Sequence, residues 1–400
     1  MAHSAGDVSA MRIAHLIESD GPGGAERVVV QLARALEAAG AKSVAFLPAN
    51  GEGWLARELE GSGVTIEHLE LDRRLTRGLA RSLEGAFRRH RITVAHSHEF
   101  FMAVYGAWAA RRVGIPHVIT MHGGRYYAAR LRRRLALRAA MALSGRTVAV
   151  SRPLSRQIAR DLWFQERRIE TIPNGVGYRR PERATLRDEL RLTPEDHLLL
   201  SVGNLYPVKG HGHLVDALGL LAGQHPTLHL AIAGRGGLAE ALAARARERG
   251  VAHRVHLLGL RSDVPAILAA SDIFVHPSLA EGLPLALLEA MFAGRPIVAS
   301  DVGEVSEALA HGEAGVVVEP GNPVALAAAI HTLLCDPRRA SELGGRAARR
   351  ALLEYDVSEM VRRYVRLYED LGKGHPSRSP ASRATFPSGP VPAPAPTEQE

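Results

Sequence analysis

Short apolar segments alternate with helical patterns in two successive series along this 400-residue chain. Apolar strands of this length, separated by helices, form parallel sheets whose two faces are covered by helices. The sequence therefore predicts an α/β chain with two doubly wound, Rossmann-like parallel-sheet domains. The predicted strands are residues 11–17, 43–47, 93–96, 117–120 and 147–150 in the first series, and 198–202, 229–233, 255–258, 273–276, 297–300 and 315–318 in the second.

The domain boundaries follow from the places where this alternation stops. Charged and proline-containing sequence replaces it near residues 173–194. We therefore expect a flexible N-terminus, a first domain, a second domain, a terminal helix and a disordered tail rich in Pro, Ser and Ala. These five segments are residues 1–10, 11–180, 181–355, 356–371 and 372–400.

Composition narrows the class of protein. Apolar residues make up 46% and charged residues 23% of the chain, as in ordinary globular proteins. No run approaches the roughly 18 apolar residues of a membrane span, and the first ten residues lack a secretory pattern. Cys335 is the only cysteine, which excludes an internal disulfide and indicates a reducing compartment. We expect a cytoplasmic protein with Cys335 on a packed helix face.

The net charge of +8 is concentrated in the first half, where residues 1–180 contain 28 Lys and Arg against 16 Asp and Glu. Residues 125–138, RYYAARLRRRLALR, are basic and have helical spacing. This stretch is either a solvated amphipathic helix or an element that lies on an anionic membrane surface. Nucleic acid is not expected as a partner, because no recognised binding motif accompanies the charge.

The segment 280–299, AEGLPLALLEAMFAGRPIVA, contains the pattern with the most chemistry. Gly282 and Pro284 favour the start of a helix, which places Glu281 in the preceding loop and Glu289 inside the helix. A helix N-terminus offers amide groups to an anion, and carboxylates accept hydrogen bonds from hydroxyls. A nucleotide sugar has both a diphosphate and many hydroxyls.

This segment resembles the donor-site signature of retaining, nucleotide-sugar-dependent glycosyltransferases of family four. The resemblance extends over residues 11–371 and rests on several separate motifs. It implies the GT-B architecture, in which two Rossmann-like domains face each other across an interdomain cleft. Residues 11–180 would then be the acceptor domain and residues 181–355 the nucleotide-sugar donor domain, with the terminal helix 356–371 crossing back to the first domain. It also implies that Glu281 contacts the transferred sugar, that Glu289 holds the ribose hydroxyls, and that Gly282, Leu283 and Pro284 belong to the donor-binding loop.

A second donor motif, residues 201–210, follows the first strand of the second domain and reads SVGNLYPVKG. Ligands of open α/β sheets bind beyond the carboxyl ends of the strands, so Lys209 is predicted beside the donor diphosphate. The family usually has arginine where Asn204 stands. Either Lys209 acts with helix amides alone, or Arg235 supplies the second positive charge, and we slightly favour Arg235.

The first domain contributes two further candidates. Gly23 and Gly24 precede a predicted helix, and the resemblance places this loop facing the diphosphate and sugar, although a structural turn is an alternative. His122 ends a predicted strand and resembles the family histidine that touches the donor sugar through hydrogen bonding, with core packing as the alternative.

We expect no bound metal and no cofactor besides the nucleotide-sugar co-substrate. His96 and His98 lie on one face of a strand, but no further ligand has recognisable spacing. The Asp-x-Asp motif of metal-dependent glycosyltransferases is absent from the sequence. A strand end that lines the cleft is the preferred interpretation of this pair.

These features predict a metal-independent glycosyltransferase of glycan, polysaccharide, lipopolysaccharide or glycolipid biosynthesis, with Glu281, His122 and Lys209 as catalytic residues. The resemblance implies that the transfer retains the anomeric configuration. The expected partners are a UDP- or GDP-sugar and a glycan or lipid-linked acceptor, with peripheral attachment to the inner face of the membrane as a further hypothesis. Two alternatives stay open. One is a sugar-nucleotide epimerase or phosphorylase of the same architecture, and the other is a non-catalytic subunit that binds a sugar nucleotide.

Overall fold

The computed structural model describes residues 8–70, 77–123 and 126–373. Most of the predicted flexible N-terminus and nearly all of the predicted tail lie outside the described residues. The chain divides into two compact units, which we call unit 1 (Met1–Gly177 with Val357–Glu400) and unit 2 (Tyr178–Asp356).

Unit 1 contains a seven-stranded parallel sheet with the strand order β3-β2-β1-β4-β5-β6-β7. Its strands are β1 Arg12–Leu16, β2 Lys42–Pro48, β3 Thr65–Leu69, β4 Val94–His98, β5 His117–Met121, β6 Arg146–Ala149 and β7 Ile169–Thr171. Its first six helices are α1 Gly24–Ala38, α2 Trp54–Leu59, α3 Arg77–Arg89, α4 Phe100–Val113, α5 Leu131–Leu143 and α6 Arg152–Leu162.

Unit 2 contains a six-stranded parallel sheet with the strand order β10-β9-β8-β11-β12-β13. Its strands are β8 His197–Val202, β9 Leu228–Ala233, β10 Val255–Gly259, β11 Ile273–His276, β12 Ile297–Ser300 and β13 Val316–Val318. Its helices are α7 Leu186–Glu189, α8 His211–Leu221, α9 Ala239–Glu248, α10 Val264–Ala270, α11 Leu285–Phe292, α12 Val305–Ala308, α13 Pro323–Cys335 and α14 Pro337–Glu354.

The last helix, α15 (Val357–Lys373), belongs to unit 1. Its two buried tyrosines hydrogen-bond to the sheet of that unit. The hydroxyl of Tyr364 lies 3.0 Å from Thr120 Oγ1, and the hydroxyl of Tyr368 lies 2.7 Å from His96 Nδ1. Helix α15, which follows unit 2 in sequence, therefore completes the packing of unit 1.

Both sheets reverse their strand order at a central pair, β1 and β4 in unit 1 and β8 and β11 in unit 2. In open α/β sheets, ligands bind outside the carboxyl ends of the strands at such a switch point. The residues that follow these four strands are therefore the first place to search for a functional site.

The prediction of two doubly wound parallel sheets is confirmed. Buried aliphatic residues of the strands, such as Leu230 and Ile232 of β9, pack against Leu218 of α8 and Ile330 of α13 in one continuous core. Two strands were missed. β3 has mixed burial and β7 has only three residues, so neither shows the continuous apolar run of a central strand.

Candidate functional site

Three loops of unit 2 pack backbone against backbone at the carboxyl edge of its sheet. Gly210 has φ +66°, and a Cβ atom there would lie 2.0 Å from the carbonyl oxygen of Pro277. A Cβ on Gly234 would lie 2.0 Å from the carbonyl oxygen of Gly203. Only glycine fits at these two positions, so the loops after β8, β9 and β11 form one closely packed group.

Lys209 and Glu281 meet within this group of loops. The Nζ atom of Lys209 lies 2.6 Å from Oε1 of Glu281, although 72 residues separate them in sequence. Their side chains are 25% and 12% exposed. The structure thus brings the predicted diphosphate cation and the predicted sugar-binding carboxylate together at the switch point of unit 2.

Two further side chains converge on the same carboxylate oxygen of Glu281. The hydroxyl of Ser278 donates to it at 2.9 Å, and Nε2 of the buried His276 lies 3.4 Å away. Burial alone would raise the pKa of Glu281, but His276 and the positive charge of Lys209 outweigh it and lower the pKa to about 2. Glu281 is therefore ionised throughout the neutral pH range.

Helix α11 begins where the sequence places it. Pro284 caps the N-terminus with extended backbone, and Glu281 lies in the preceding loop. Gly282 and Leu283 are buried in that loop, where the carbonyl of Gly282 accepts the amide of Glu304 at 2.9 Å. Glu289 is a half-buried residue within α11, as predicted from the spacing.

The loop after β9 brings Arg235 next to the position where the family usually has arginine. The amide of Leu205, the residue after Asn204, donates to the carbonyl of Arg235 at 2.8 Å. Arg235 is exposed and Asn204 is half-buried. Arg235 thus lies on the segment adjacent to Asn204, where it could replace the arginine that the family usually has at that position. Its role in donor binding stays a prediction.

The glycine-rich loop of unit 1 has a local structural explanation. Gly23 caps α1, and a Cβ atom there would lie 2.2 Å from Oε2 of Glu26, whose side chain folds back over the loop. A Cβ on Gly24 would meet no atom within 4 Å. The proposed contact of this loop with the diphosphate stays a prediction.

His122 lies in a buried group of titratable side chains at the carboxyl ends of β4 and β5. Its Nε2 lies 3.0 Å from Nδ1 of His98, and its amide donates to Oε1 of Glu99 at 2.8 Å. Burial lowers the pKa of His122 to about 4, so the ring is neutral at pH 7. The ring can accept or donate one hydrogen bond, as the predicted sugar contact requires.

Two carboxylates at the switch point of unit 1 were missed by sequence reasoning. Burial raises the pKa of Glu99 to about 8 and that of Glu18 to about 7. Oε2 of Glu18 accepts the amide of Phe101 at 2.8 Å. Glu99 has φ +65° and ψ −171°, a strained conformation for a residue with a side chain. The sequence signal that could have identified Glu99 is its position directly after His98, the second histidine of the His96–His98 pair.

The contacts of the buried histidines on β1 and β4 favour a packing role over metal binding. Ring nitrogens of His15, His96 and His98 lie within 4.8 Å of one another. Both nitrogens of His96, however, contact hydroxyl groups at 2.7 Å, one on Thr120 and one on Tyr368. Binding a metal there would require breaking one of these contacts.

The basic stretch forms the short 3₁₀ turn Tyr126–Ala129 and helix α5, while Arg125 lies outside the described residues. Leu131 and Leu135 are 59% and 51% exposed, and neighbouring Trp163 is 58% exposed. The guanidinium carbon of Arg134 lies 4.1 Å from the centre of the Trp163 ring. This surface combines positive charge with exposed apolar groups. Among the described residues, every helix is too short or too polar to cross a bilayer.

One sequence expectation was wrong. Cys335 is exposed at the end of α13 rather than on a packed face. Leu326 and Ile330 of the same helix are buried, so the packed face lies elsewhere on the helix surface. Sequence reasoning also missed His276 and Ser278 as partners of Glu281, although His276 ends a predicted strand and Ser278 lies in the loop that follows it.

Sequence profiles of known families match most of both units. The profile described as Glycosyltransferase Family 4 matches residues 22–180, and the one described as Glycosyl transferases group 1 matches residues 182–350.

Two curated relatives represent different acceptors. The chain is 29% identical over 282 residues to D-inositol 3-phosphate glycosyltransferase of Rhodococcus jostii, which covers 64% of this chain and 62% of that protein. It is 29% identical over 236 residues to UDP-Gal:alpha-D-GlcNAc-diphosphoundecaprenol alpha-1,3-galactosyltransferase of Escherichia coli, which covers 55% of this chain and 61% of that one. The matches thus span somewhat under two thirds of each relative.

A solved structure shares the fold. The crystal structure of Anabaena HepE in complex with UDP superposes with a TM-score of 0.79 at 23% identity, covering 90% of this chain and 100% of that one. Together with the two family profiles and the paired parallel sheets, this likeness leads to one conclusion. The chain belongs to the glycosyltransferases of family four and has the GT-B fold.

Proposed function

We propose that this protein transfers a sugar from a nucleoside diphosphate sugar to an acceptor hydroxyl, with retention of the anomeric configuration. The observation that carries the proposal is the Lys209–Glu281 pair, held at 2.6 Å at the switch point of unit 2. A cation and an ionised carboxylate at this edge match the two ends of the reacting bond, a diphosphate and a sugar.

In the proposed reaction, the bond between the anomeric carbon and the diphosphate oxygen breaks while a bond to the acceptor oxygen forms. Lys209 and the N-terminal amides of α11 stabilise the negative charge that develops on the departing diphosphate. A departing phosphate oxygen takes the acceptor proton, so no separate protein base is needed. The absence of an Asp-x-Asp motif supports transfer without a metal in the reaction.

Glu281 supports this proposal through its charge state. With a pKa of about 2, it is an anion at neutral pH and can only accept hydrogen bonds. An anion beside the sugar ring accepts hydrogen bonds from its hydroxyls and favours positive charge at the anomeric carbon. Glu289 is proposed to accept hydrogen bonds from ribose hydroxyls, and His122 to contact the transferred sugar.

The identity of the donor nucleotide can be tested directly by thermal denaturation. UDP bound to HepE and UDP-Gal in the name of the E. coli relative favour uridine over guanosine. A ligand at 100 times its Kd stabilises the native state by about 2.7 kcal/mol. We expect UDP and one UDP-sugar to raise the Tm, and GDP and ADP to have smaller effects. No shift with any sugar nucleotide at millimolar concentration would contradict the proposal.

Assays of the purified protein with a sugar nucleotide distinguish transfer from the two alternatives, an epimerase or phosphorylase and a non-catalytic subunit. An epimerase would convert the sugar nucleotide without an acceptor, and a phosphorylase would require inorganic phosphate. A non-catalytic subunit would bind the nucleotide without consuming it. Release of the nucleoside diphosphate that depends on an added glycan or lipid-linked acceptor is expected only of a glycosyltransferase.

We further propose that α5 and Trp163 attach the protein to an anionic membrane surface near a lipid-linked acceptor. The exposed apolar side chains of Leu131 and Leu135, one helical turn apart, support the proposal together with the surrounding arginines. The E. coli relative, whose named acceptor is an undecaprenol diphosphate, supports it as well.

Vesicle flotation tests this attachment. We expect the protein to float with phosphatidylglycerol vesicles and to remain in solution with phosphatidylcholine vesicles. The double variant Leu131→Ser/Leu135→Ser should lose flotation. Leu353→Ser is the matched control, because Leu353 is 80% exposed in unit 2. Equal flotation of the double variant and the wild type would contradict the assignment of this surface.

A further inference from the structure

A group of two histidines and the single cysteine lies in unit 2, away from the residues that follow β8 and β11. His225 is in the connection between α8 and β9, and His331 and Cys335 are four residues apart on α13. One ring nitrogen from each histidine and the sulfur of Cys335 all lie within 4.8 Å of one another. Side chains four residues apart on a helix face the same way, so His331 and Cys335 form a natural pair of ligands.

The distances are close to those of a metal site. Nε2 of His225 lies 2.8 Å from Nδ1 of His331, and Sγ of Cys335 lies 3.8 Å from the same Nδ1 atom. Zinc with Zn–N bonds of about 2.05 Å and Zn–S bonds of about 2.3 Å places tetrahedral ligands about 3.3 Å (N to N) and about 3.6 Å (N to S) apart. An adjustment of about half an ångström would bring the two histidine nitrogens to the separation of zinc ligands. The sulfur of Cys335 lies 3.6 Å from Nε2 of His331 and within 4.8 Å of a ring nitrogen of each histidine, so its side chain would turn toward the ion on binding.

The chemistry of the three donors selects the ion. Two imidazoles and a thiolate suit borderline and soft cations such as Zn²⁺, and they disfavour Mg²⁺ and Ca²⁺, which require oxygen ligands. Half-burial of both histidines and exposure of Cys335 leave access for the ion and for a water molecule as fourth ligand.

We propose that His225, His331 and Cys335 bind one Zn²⁺ ion that joins the α8–β9 connection to the end of α13. His225 precedes the start of β9, so the ion would lie at the amino edge of the sheet, whereas Lys209 and Glu281 follow the carboxyl ends of strands. The ion is therefore structural and takes no part in the transfer reaction. Arg254, which donates to the carbonyl of His225 at 3.1 Å, fixes the backbone on one side of the site.

Because Cys335 is the only cysteine in the chain, sulfur-based measurements report on this site alone. With the full chain, equilibrium dialysis is expected to give one tightly bound Zn²⁺, and Co²⁺ should produce a thiolate-to-metal absorption band. Zn²⁺ should slow the reaction of the thiol with a disulfide reagent by at least about tenfold, because the bound thiolate is no longer a free nucleophile. Zn²⁺ should also raise the Tm of the wild type.

The variants Cys335→Ser and His331→Gln should each weaken Zn²⁺ binding at least about tenfold and abolish the Tm increase, since each removes one of three protein ligands. His311→Ala is the matched control, because His311 is exposed and outside the group. Equal Zn²⁺ affinity in wild type and Cys335→Ser, or a thiol that stays fully reactive at saturating Zn²⁺, would overturn the proposal. None of these measurements depends on the proposed transfer activity.

Discussion

The two switch points of this protein have the same topology and opposite electrostatics. In unit 2, Glu281 is buried beside a lysine and its pKa falls to about 2. In unit 1, Glu99 is buried beside neutral histidines and other carboxylates, and its pKa rises to about 8. Burial acts to raise both values, so the difference comes from the hydrogen bond of His276 to Glu281 and from the cation of Lys209 at 2.6 Å. Equivalent positions in two similar sheets thus support an ion pair in one unit and a group of largely uncharged side chains in the other.

The largest effect is expected from removing that cation. Lys209→Ala should lower kcat/KM for acceptor-dependent release of the nucleoside diphosphate by about 30-fold or more. Losing one partner of a desolvated charge pair costs roughly 2–5 kcal/mol. Steady-state kinetics with the sugar nucleotide that raises the Tm most provide the measurement.

Lys373→Ala is the control for this variant, because the Lys373–Asp370 pair is 76% and 64% exposed. An exposed pair contributes about 0–1 kcal/mol, so this variant should retain near-wild-type kinetics. Near-full transfer by Lys209→Ala would remove the phosphate-binding role of Lys209.

The next largest effect is expected from disturbing the packed loops that bring Lys209 and Glu281 together. Gly210→Ala should lower the free energy of unfolding by about 2 kcal/mol or more, because the new Cβ meets the carbonyl of Pro277 at a positive φ. Urea denaturation measures the change. Gly223→Ala, whose Cβ would meet no atom within 4 Å, should be close to neutral. Equal stability of the two variants would show that the loops adjust freely.

A smaller effect is expected from replacing the carboxyl group of Glu99 in unit 1 with an uncharged amide. The pKa of Glu99 is raised from 4.5 to about 8 in the folded state, so the stabilisation from its proton is complete below pH 4.5 and is lost progressively as the pH rises from 4.5 to 8. The Tm of the wild type should therefore fall between pH 5 and pH 8 more steeply than that of Glu99→Gln. Thermal scans across that window, with the exposed Glu60→Gln as control, test this. Parallel profiles for all three proteins would contradict the raised pKa.

The smallest effect concerns the second cation of unit 2. Arg235→Ala should raise the KM for the donor about fivefold, since a largely exposed charge contributes up to about 1 kcal/mol. Asn204→Arg in the same variant should restore the KM by supplying the charge from the adjacent segment. If Arg235→Ala leaves the KM unchanged, Lys209 and the helix amides bind the diphosphate without it.

The strand positions of both sheets were largely predictable from the sequence. Residues 273–276 and 297–300 were predicted as strands and are β11 and β12. Buried parallel strands are continuous apolar runs bounded by turn residues, so each can be recognised locally. β3 and β7 were missed because an edge strand of mixed burial and a three-residue strand contain little of that pattern.

The placement of Cys335 shows where local reasoning fails. An apolar helix such as α13 offers several faces of similar hydrophobicity, and the sequence alone does not decide which face packs on the sheet. In the structure Leu326 and Ile330 are buried, and Cys335 is exposed beside His331. A residue predicted to lie on a packed helix face thus becomes part of a candidate metal site.

The sequence by itself determined the two parallel sheets, the helix that starts after Glu281 and the family to which the chain belongs, because each depends on residues close together in the chain. Only the tertiary structure decided that Lys209 and Glu281 form a pair and that the pKa of Glu281 falls while that of Glu99 rises. The order of strands in the sheet brings together loops that are 72 residues apart. The pKa of a buried carboxylate then depends on whether such a contact supplies a cation, which no local pattern specifies.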